Sequence, residues 1–382
     1  MRLRLREPLL YHWLRLRRHF DRRPRPASEL GTPAIRRILA ISCTALGDTL
    51  LSTPALRALR QTYPAAHITL LVHPALQALF AGLAEVDELI AYDGKWRGFR
   101  RVAGQLKGYD LAAIFHGNEP QATPLAYLSG ARHIFKLPNT SRYNFLLSNR
   151  QPLLGWDDLG HGLDQRLAVA RLAGALGDYS RRMTVPLPPA GSAALVQALL
   201  ERGWSESRIV ALQPGASTAS RRWPRSRFIE AARQLALANP DLRFVVTGSP
   251  AEAALCQEIA AGIVAAAPLA EGPRAWASAG QLPLVALPAL LQRAAVLVTG
   301  DTGPMHLAVT VDTPVVALFA VSDPARSGPG YDLERHVVIR KWRTCDPCFS
   351  KNCPYAEPIC MDNISVAEVV AAVDGILARK MA

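Results

Sequence analysis

The sequence predicts an α/β protein built from two doubly wound parallel-sheet domains. Its 382 residues exceed what one hydrophobic core usually serves, so two domains are expected. From residue 35 onward, short apolar runs alternate with longer helical patterns, which is typical of βαβ units. The tripeptide Gly-Asp-Thr follows such a run twice, at residues 47–49 and 300–302. Each copy precedes a helical pattern, and open α/β sheets bind ligands at this edge.

Residues 1–34 form a basic N-terminal arm. The chain has a formal net charge of +13, and residues 1–25 hold nine Arg against Glu7 and Asp21, a net of +7. Leu, Trp and Phe side chains are interleaved with these Arg, which favours a helix lying on an anionic membrane surface. A disordered basic tail and a nucleic-acid-binding tail are the alternatives. The other 357 residues carry only +6 and no nucleic-acid motif, so nucleic acid is not an expected partner.

Composition indicates a globular chain, with 49% hydrophobic and 20% charged residues. The longest apolar candidate, residues 282–298, is interrupted by Pro283, Pro288 and Arg293 and is too broken to span a bilayer. No uninterrupted apolar stretch precedes a small-residue cleavage site at the N-terminus, so no signal peptide is expected.

The first domain is predicted over residues 35–184. Its strands are expected at 36–42, 67–72, 88–91 and 110–116, and its helices near 52–62, 74–81, 121–129 and 161–176. Gly174 weakens the last of these helical patterns. A proline-rich linker follows at residues 185–191, because Val185-Pro186-Leu187-Pro188-Pro189 favours a stiff extended chain.

The second domain is predicted over residues 192–362. Strands are expected at 208–213, 242–247, 295–299, 314–319 and 336–340, and helices at about 192–203, 225–238, 250–265, 284–293 and 304–310. Residues 363–382 form a separate C-terminal segment, with room to pack back on the first domain. Its helix, about 365–379, begins at Ser365 with Glu368 three residues later, which is a capping-box spacing.

The first Gly-Asp-Thr places Asp48 between a strand and a helix. Pro54 is tolerated in a first helical turn, so the regular helix is expected to begin near Thr53. Asp48 then has two interpretations. It caps the helix, or it is a general base at the edge of a cleft that removes a proton from a hydroxyl nucleophile. The motif alone favours the cap.

The second Gly-Asp-Thr is more informative. Gly300 and Gly303 permit close backbone approach, and the helix N-terminus that follows favours a phosphate. Asp301 would repel a phosphate and is better suited to sugar hydroxyls. His306 falls in the first turns of this helix, where an isolated histidine is more often packed than ligating.

Two further loops follow strands of the second domain. Ser217, Thr218 and the paired Arg221-Arg222 lie in residues 213–224 and suit a diphosphate, since Arg offers bidentate contacts. Glu252 follows the strand at 242–247, where an acidic residue binds ribose hydroxyls or merely complements a helix dipole. These loops together predict a nucleotide-diphosphate ligand. No Walker A pattern and no intact G-x-G-x-x-G are present.

These residues carry a family resemblance. Gly47-Asp48 through Leu56, Pro214–Ser217 with Arg221–Pro224, Gly300 through Leu307 and the cysteine-rich segment before the last helix span roughly residues 36–379. In this combination the chain resembles the ADP-heptose:lipopolysaccharide heptosyltransferases of glycosyltransferase family 9, and looks closest to the heptosyltransferase II type. The resemblance implies a GT-B fold of two Rossmann-like domains facing a central cleft. It also implies a cytoplasmic enzyme, peripheral on the inner face of the inner membrane.

The resemblance also implies a reaction and roles. Heptose would pass from ADP-heptose to a lipid A–core acceptor with inversion, and Asp48 would be the base that activates the acceptor hydroxyl. Asp301 would contact the donor sugar and Glu252 the ribose. The donor and diphosphate site would be shaped by Thr302, Gly303, Pro304, Met305 and His306. The family usually has Lys where this chain has Arg221, which leaves the donor open. No D-x-D motif is present, so no catalytic metal is expected.

Two features of the sequence keep alternatives open. Cys345, Cys348, Cys353 and Cys360 follow one another within sixteen residues, which suits a structural Zn or Fe site or a set of reduced thiols. Cys43 and Cys256 are expected to be packed. His116 and Asn118, which close a strand at the acceptor edge, are candidate acceptor-binding residues beside Arg132, Lys136 and Arg142.

Three rival functions remain. They are a family 9 transferase with another nucleotide sugar or glycoconjugate acceptor, a sugar-nucleotide epimerase and a non-catalytic nucleotide-sugar- or glycan-binding subunit. An epimerase would turn over a nucleotide sugar without any acceptor. Retention of both Asp48 and Asp301 weighs against the non-catalytic subunit.

Overall fold

The computed structural model describes residues 6–116, 120–269, 272–341 and 359–379. The chain divides into two units, Met1–Pro186 and Leu187–Ala382, and each contains its own parallel sheet. The division falls inside the proline-rich segment at 185–191.

The first unit is built on a five-stranded sheet in the order β3-β2-β1-β4-β5. Each neighbouring pair is parallel, with Arg37 opposite His67 at one junction and Ile38 opposite Leu111 at another. The strands are β1 (Arg37–Ser42), β2 (His67–Val72), β3 (Glu88–Ala91), β4 (Leu111–Ile114) and β5 (His133–Lys136). The first four match predicted strands. The sequence analysis missed β5, which is short and begins and ends with polar residues.

Helices connect and cover these strands. They are α1 (Arg6–Phe20), α2 (Leu46–Thr62), α3 (Gln77–Phe80), α4 (Trp96–Gln105), α5 (Ala122–Leu128) and α6 (Gly162–Leu172). The analysis missed α4, whose Arg and Gly residues obscure its apolar face. The expected helix at 161–176 is shorter because Gly174 has a positive φ of 100° in the turn after α6.

Helix α2 begins six residues earlier than predicted. Pro54 lies inside it, where the missing N–H leaves the carbonyl of Leu50 without its helical donor. The Thr53 hydroxyl donates to that carbonyl at 2.8 Å. Because this hydrogen bond compensates for the proline, Asp48 lies within the first helical turn and Ala45 is the N-cap residue.

The second unit contains a six-stranded parallel sheet in the order β11-β10-β9-β6-β7-β8. Its strands are β6 (Arg208–Gln213), β7 (Leu242–Val246), β8 (Ala275–Ala277), β9 (Val296–Gly300), β10 (Val315–Phe319) and β11 (Val337–Arg340). The central strands are buried along nearly their whole length, as expected of parallel strands covered on both faces. The three-residue β8 was not predicted.

The helices of this unit are α7 (Pro189–Leu200), α8 (Arg225–Ala238), α9 (Ala253–Ala266), α10 (Leu287–Arg293), α11 (Gly303–Thr310), α12 (Pro324–Ser327), α13 (Ile359–Asp362) and α14 (Val366–Arg379). The sequence analysis allowed α14 to pack back on the first domain. Val369, Val373 and Ile376 are instead buried in the hydrophobic core of the second unit. The predicted capping box is present, since Glu368 Oε2 accepts from the Ser365 backbone N–H at 3.0 Å.

Both sheets have the strand order of a Rossmann fold. In each unit the first strand lies between the second strand and the fourth, so the chain reverses direction across the sheet there. This switch point lies between β1 and β4 in the first unit and between β6 and β9 in the second. The first Gly-Asp-Thr segment lies in the first turn of α2, after β1, and the second begins with the last residue of β9.

Residues 6–34 of the N-terminal arm pack on the first unit and are not a disordered tail. Leu14 of α1 is fully buried in the same hydrophobic cluster as residues of β1, α4 and α5. Asp21 accepts hydrogen bonds from Arg23, Arg25 and the Tyr127 hydroxyl. Within the described ranges, no helix has the length and apolar character needed to cross a membrane.

Candidate active site

The switch point of the first unit presents Asp48 at the carboxyl edge of the sheet. The Thr44 hydroxyl, in the loop after β1, donates to Asp48 Oδ2 at 2.8 Å. Arg166 Nη2, from α6, donates to Asp48 Oδ1 at 2.7 Å. Both carboxylate oxygens are therefore oriented by fixed donors, while the Asp48 side chain stays 38% exposed.

Arg166 is the buried partner of this pair, with a side chain only 5% exposed. Its Nη1 also donates to the Gly162 carbonyl and to Gln165 Oε1. Burial lowers the pKa of Arg166, and the Asp48 carboxylate opposes that shift. A buried guanidinium remains charged and fixes a positive charge behind the exposed carboxylate.

Arg166 was missed by the sequence analysis, although the sequence contains a signal. It is three residues after Leu163 and four before Ala170, so it lies on the apolar face of the helix. Charged residues are rarely fully buried unless they are paired. An Arg at that position therefore predicts an acidic partner, but the spacing does not identify which Asp or Glu residue it is.

The switch point of the second unit brings together Arg221 and Asp301. Arg221 ends a turn of 3₁₀ helix, Ala219–Arg221, after β6, and Asp301 directly follows β9. Arg221 Nη1 lies 3.2 Å from Asp301 Oδ2. Gly300 permits this approach, since a Cβ there would lie 2.5 Å from the Arg221 carbonyl oxygen. The glycine is needed because the loop after β6 crosses directly over the end of β9.

Helix α11 begins beside this pair. Thr302 is its N-cap residue, and the Thr302 and Thr299 hydroxyls share a hydrogen bond at 2.9 Å. Thr302, Gly303 and Pro304 are partly exposed, whereas Met305 and His306 are buried. The first turn can therefore meet an anion through its backbone N–H groups, of which Pro304 has none. The Met305 and His306 side chains support the helix from within.

The loop after β6 is held in shape by its second arginine. Arg222 Nε and Nη2 both donate to the Ala216 carbonyl, at 3.1 and 2.9 Å. Thr218 and Ser220 share a hydrogen bond at 3.2 Å, and Ser217 is exposed. The sequence analysis assigned both arginines to a diphosphate, but only Arg221 lies beside α11 and Asp301.

Glu252 follows β7 and faces the same loop. Its Oε2 accepts from the Ser249 backbone N–H at 2.8 Å and from the Ser249 hydroxyl at 2.9 Å, which forms a capping box. Its carboxylate occupies the space in which a Cβ at Gly215 would stand. Glu252 therefore joins the loops after β6 and β7.

Comparisons with known proteins point to one family. Residues 178–358 match the family model described as glycosyltransferase family 9 (heptosyltransferase). Lipopolysaccharide heptosyltransferase 2 of Salmonella typhimurium is 26% identical over 308 residues, or 77% of this chain and 85% of that protein. Lipopolysaccharide heptosyltransferase 1 of Pseudomonas aeruginosa is 23% identical and covers 89% of this chain and 98% of its own length.

A solved structure agrees on the fold. The E. coli ADP-heptose LPS heptosyltransferase II superposes with a TM-score of 0.71 at 22% identity, over 91% of this chain and 100% of that one. The chain is therefore similar to glycosyltransferase family 9. Its fold is GT-B, and the two Rossmann-like units of this glycosyltransferase are the ones that the family resemblance implied.

The two ion pairs of this glycosyltransferase have opposite exposure. In the Asp48–Arg166 pair the carboxylate is 38% exposed and the guanidinium 5%. In the Asp301–Arg221 pair the guanidinium is 37% exposed and the carboxylate 9%. One switch point therefore offers solvent a negative group backed by a buried cation, and the other offers a positive group backed by a buried carboxylate.

The residues predicted to surround the acceptor are less favourably placed. The His116 side chain is buried, with Nε2 3.6 Å from Cys43 Sγ, and Asn118 lies outside the described residues. Arg132 precedes β5 at the opposite edge of the sheet, where it pairs with Glu29 at 2.8 Å. Arg142 pairs with Glu7 of α1 and lies over the Tyr11 ring. Arg132 and Arg142 therefore hold the arm in place.

The proposed metal site is mostly beyond what the structure describes. Cys345, Cys348 and Cys353 lie outside the described residues, and Cys360 is buried in the second unit. In the described part of the chain, no three His, Cys, Asp or Glu side chains are grouped so as to hold a metal ion. Cys256 is packed as expected, and burial raises the pKa of its thiol to about 12.

Proposed function

We propose that this enzyme transfers heptose from ADP-heptose to a lipid A-linked lipopolysaccharide core acceptor, with inversion at the anomeric carbon. The observation that carries the proposal is the pair of oppositely exposed ion pairs at the two switch points. The names of the curated relatives at 23–26% identity supply the substrate class. A nucleotide sugar and a hydroxyl acceptor need one cationic and one basic site, and the two pairs supply one each.

Asp48 is the proposed general base. Its carboxylate accepts the proton of the acceptor hydroxyl as the oxygen attacks the anomeric carbon. The new carbon–oxygen bond forms while the bond from the anomeric carbon to the diphosphate oxygen breaks, and ADP leaves with the electron pair. Because attack and departure occur on opposite faces, the anomeric configuration inverts. The Arg166 and Thr44 contacts support this role because they fix the carboxylate orientation before the acceptor arrives.

Arg221 and the first turn of α11 are the proposed diphosphate site. The exposed guanidinium offers paired donors to phosphate oxygens, and the helix N-terminus adds backbone donors. Both stabilise negative charge as ADP departs, so the proposal requires no metal ion for catalysis. Asp301 orients Arg221 and meets the donor sugar, and Ser217, Thr218 and Thr302 are proposed to complete the donor site. Glu252 meets the ribose through Oε1, the carboxylate oxygen that takes no part in the capping box.

The acceptor and cellular location belong to the same proposal. A lipid-linked saccharide is made at a membrane, so the enzyme would act in the cytoplasm at the inner face of the inner membrane. The arm, with its net charge of +6, is suited to an anionic membrane surface. His116 would then support the acceptor edge from beneath, because its side chain is buried.

A family 9 transferase with a different nucleotide sugar is the second candidate. Arg221 favours it, since the family usually has Lys at this position and the two side chains differ in geometry at a tight anion site. The difference concerns the donor and leaves the role of Asp48 unchanged.

A donor screen tests the proposed function. The purified enzyme would be mixed with ADP-heptose, other ADP-sugars or UDP-sugars and with heptose-deficient core lipopolysaccharide, and products would be identified by mass. We expect one added heptose with ADP-heptose. Transfer of another sugar alone would replace the donor assignment, and ADP binding without any product would support a non-catalytic binding subunit. Turnover of a nucleotide sugar without acceptor would indicate an epimerase.

A further inference from the structure

Helix α1 has two apolar faces, and within the part of the chain that the structure describes only one of them is covered. The covered face contains Leu14, which is fully buried, with Leu10 and Tyr11 packed against the same cluster. Tyr11 also contacts the rings of Tyr143 and Phe145, with centroids 5.8 and 5.5 Å away. The helix is thus attached to the unit that contains Asp48.

The second face is an exposed apolar stripe, hereafter the outer stripe. Its four members, spaced four, three and four residues apart, lie on one side of a helix and are 71%, 46%, 60% and 69% exposed; they are Leu9, Trp13, Leu16 and Phe20. With about 100° of rotation per residue, the stripe points away from the face that contains Leu14. Packing on the first unit therefore does not account for these side chains.

Basic residues border the outer stripe. Arg17 lies beside it, with the guanidinium 5.1 Å from the Trp13 ring centre. His12 and His19 are exposed on the other border, whereas Arg15 lies toward the packed face with its guanidinium 5.9 Å from the Tyr11 ring centre. Arg22 is exposed just after the end of α1. An apolar face of Leu, Trp and Phe with basic residues on its borders is the pattern of a helix that lies in a membrane interface. Such Arg side chains extend toward the headgroups while the apolar face enters the acyl boundary.

We propose that the outer stripe binds the surface of an anionic lipid bilayer, with α1 lying flat and the first unit attached to its inner face. Charge complementarity selects this occupant. A second copy of the chain would bring two arms of net charge +6 together, which is unfavourable. A neutral apolar partner would leave the bordering Arg without counter-charges. The proposal concerns binding only and holds whether or not the transferase assignment is correct.

The test is binding of the full chain to vesicles of phosphatidylcholine with about one third phosphatidylglycerol, compared with phosphatidylcholine alone. We expect binding to the anionic vesicles that weakens as salt is raised. The combined variant Leu9→Ala, Leu16→Ala, Phe20→Ala should weaken it about tenfold or more. A blue shift of tryptophan emission on binding should be lost in Trp13→Phe, because Trp13 enters the interface.

The matched control removes exposed leucines elsewhere, at Leu176, Leu200 and Leu237, which are 84%, 58% and 67% exposed. It should bind anionic vesicles like the original chain. Equal thermal unfolding of both triple variants would show that the fold is intact. The proposal is overturned if the stripe variant binds as tightly as the control, or if the original chain binds neither vesicle. A dimer that the stripe variant dissociates, without vesicle binding, would assign the stripe to a second copy.

Discussion

The two switch points of this enzyme use the same pair of residue types in opposite ways. At each, a carboxylate on the Gly-Asp-Thr segment meets an arginine from elsewhere in the same unit. In the first unit the arginine comes from a helix and is buried, so Asp48 is the group presented to solvent. In the second the arginine comes from the adjacent loop and is exposed, so Asp301 is the hidden partner.

The lesson is that burial, rather than the sequence motif, assigns the chemistry. An exposed carboxylate held by a buried cation can accept a proton or a hydrogen bond from a hydroxyl. An exposed guanidinium held by a buried carboxylate can bind a diphosphate, because it donates charge-assisted hydrogen bonds to phosphate oxygens. The identical letters Gly-Asp-Thr therefore predict position at the edge of a sheet and not function.

Asp48→Asn should have the largest effect. The amide cannot accept a proton at neutral pH, so kcat should fall by about 10³-fold while KM for the nucleotide sugar changes little. Initial rates at saturating donor and acceptor measure this. Asp164→Asn is the control, since Asp164 is an exposed aspartate of the same unit, paired with Arg181 at 3.1 Å. Transfer that survives Asp48→Asn would disprove the base assignment.

Arg166→Gln should lower kcat by about 10- to 100-fold, because the carboxylate loses its orientation and its cation. Without a neighbouring positive charge, a carboxylate protonates more readily. The acidic limb of the pH–rate profile should therefore move to higher pH. Arg166→Lys should partly restore kcat and the position of the acidic limb. Loss of thermal stability with an unshifted pH–rate profile would instead assign Arg166 a structural role only.

Asp21→Asn should have the smallest effect and tests whether exposure alone decides a role. Asp21 is 6% exposed beside the more exposed Arg23 and Arg25, which resembles the Asp301 pair. It lies at the opposite edge of the sheet, however, where Arg23 binds the Gly130 carbonyl. The variant should cost about 2 kcal/mol of arm docking and leave ADP affinity unchanged. Faster hydrogen exchange in α1 would show this.

The Asp21–Arg23 pair makes the docking of the arm on the first unit dependent on pH. The hydrogen bond from Arg23 holds the pKa of Asp21 well below its ordinary value of 3.8. The stabilisation that this ion pair gives to the docked arm is therefore fully present above pH 3.8 and is lost as the pH falls below that value. Protection of the α1 amides should decline in acid in the original chain but change less in Asp21→Asn. Equal declines in both would place the acid sensitivity elsewhere.

Much of the fold was predictable because parallel strands are continuous apolar runs. Ile38–Ile41 and Leu297–Val298 each precede a Gly-Asp-Thr segment, so strand, loop and helix could be located together. The features that the sequence analysis missed depend on tertiary contacts. The strand β5 is stabilised by pairing with β4, and α2 extends before Pro54 because Thr53 compensates for the missing donor. Arg166 was hidden because its partner is 118 residues away.

The most direct test of the central claim compares ADP affinity in two variants. By titration calorimetry, Asp48→Asn should bind ADP as tightly as the original chain, whereas Arg221→Gln should bind it about tenfold or more weakly. Arg225→Gln, an exposed arginine paired with Glu258 at 2.9 Å, is the matched control and should bind normally. Weakened ADP binding in Asp48→Asn together with unchanged binding in Arg221→Gln would contradict the account.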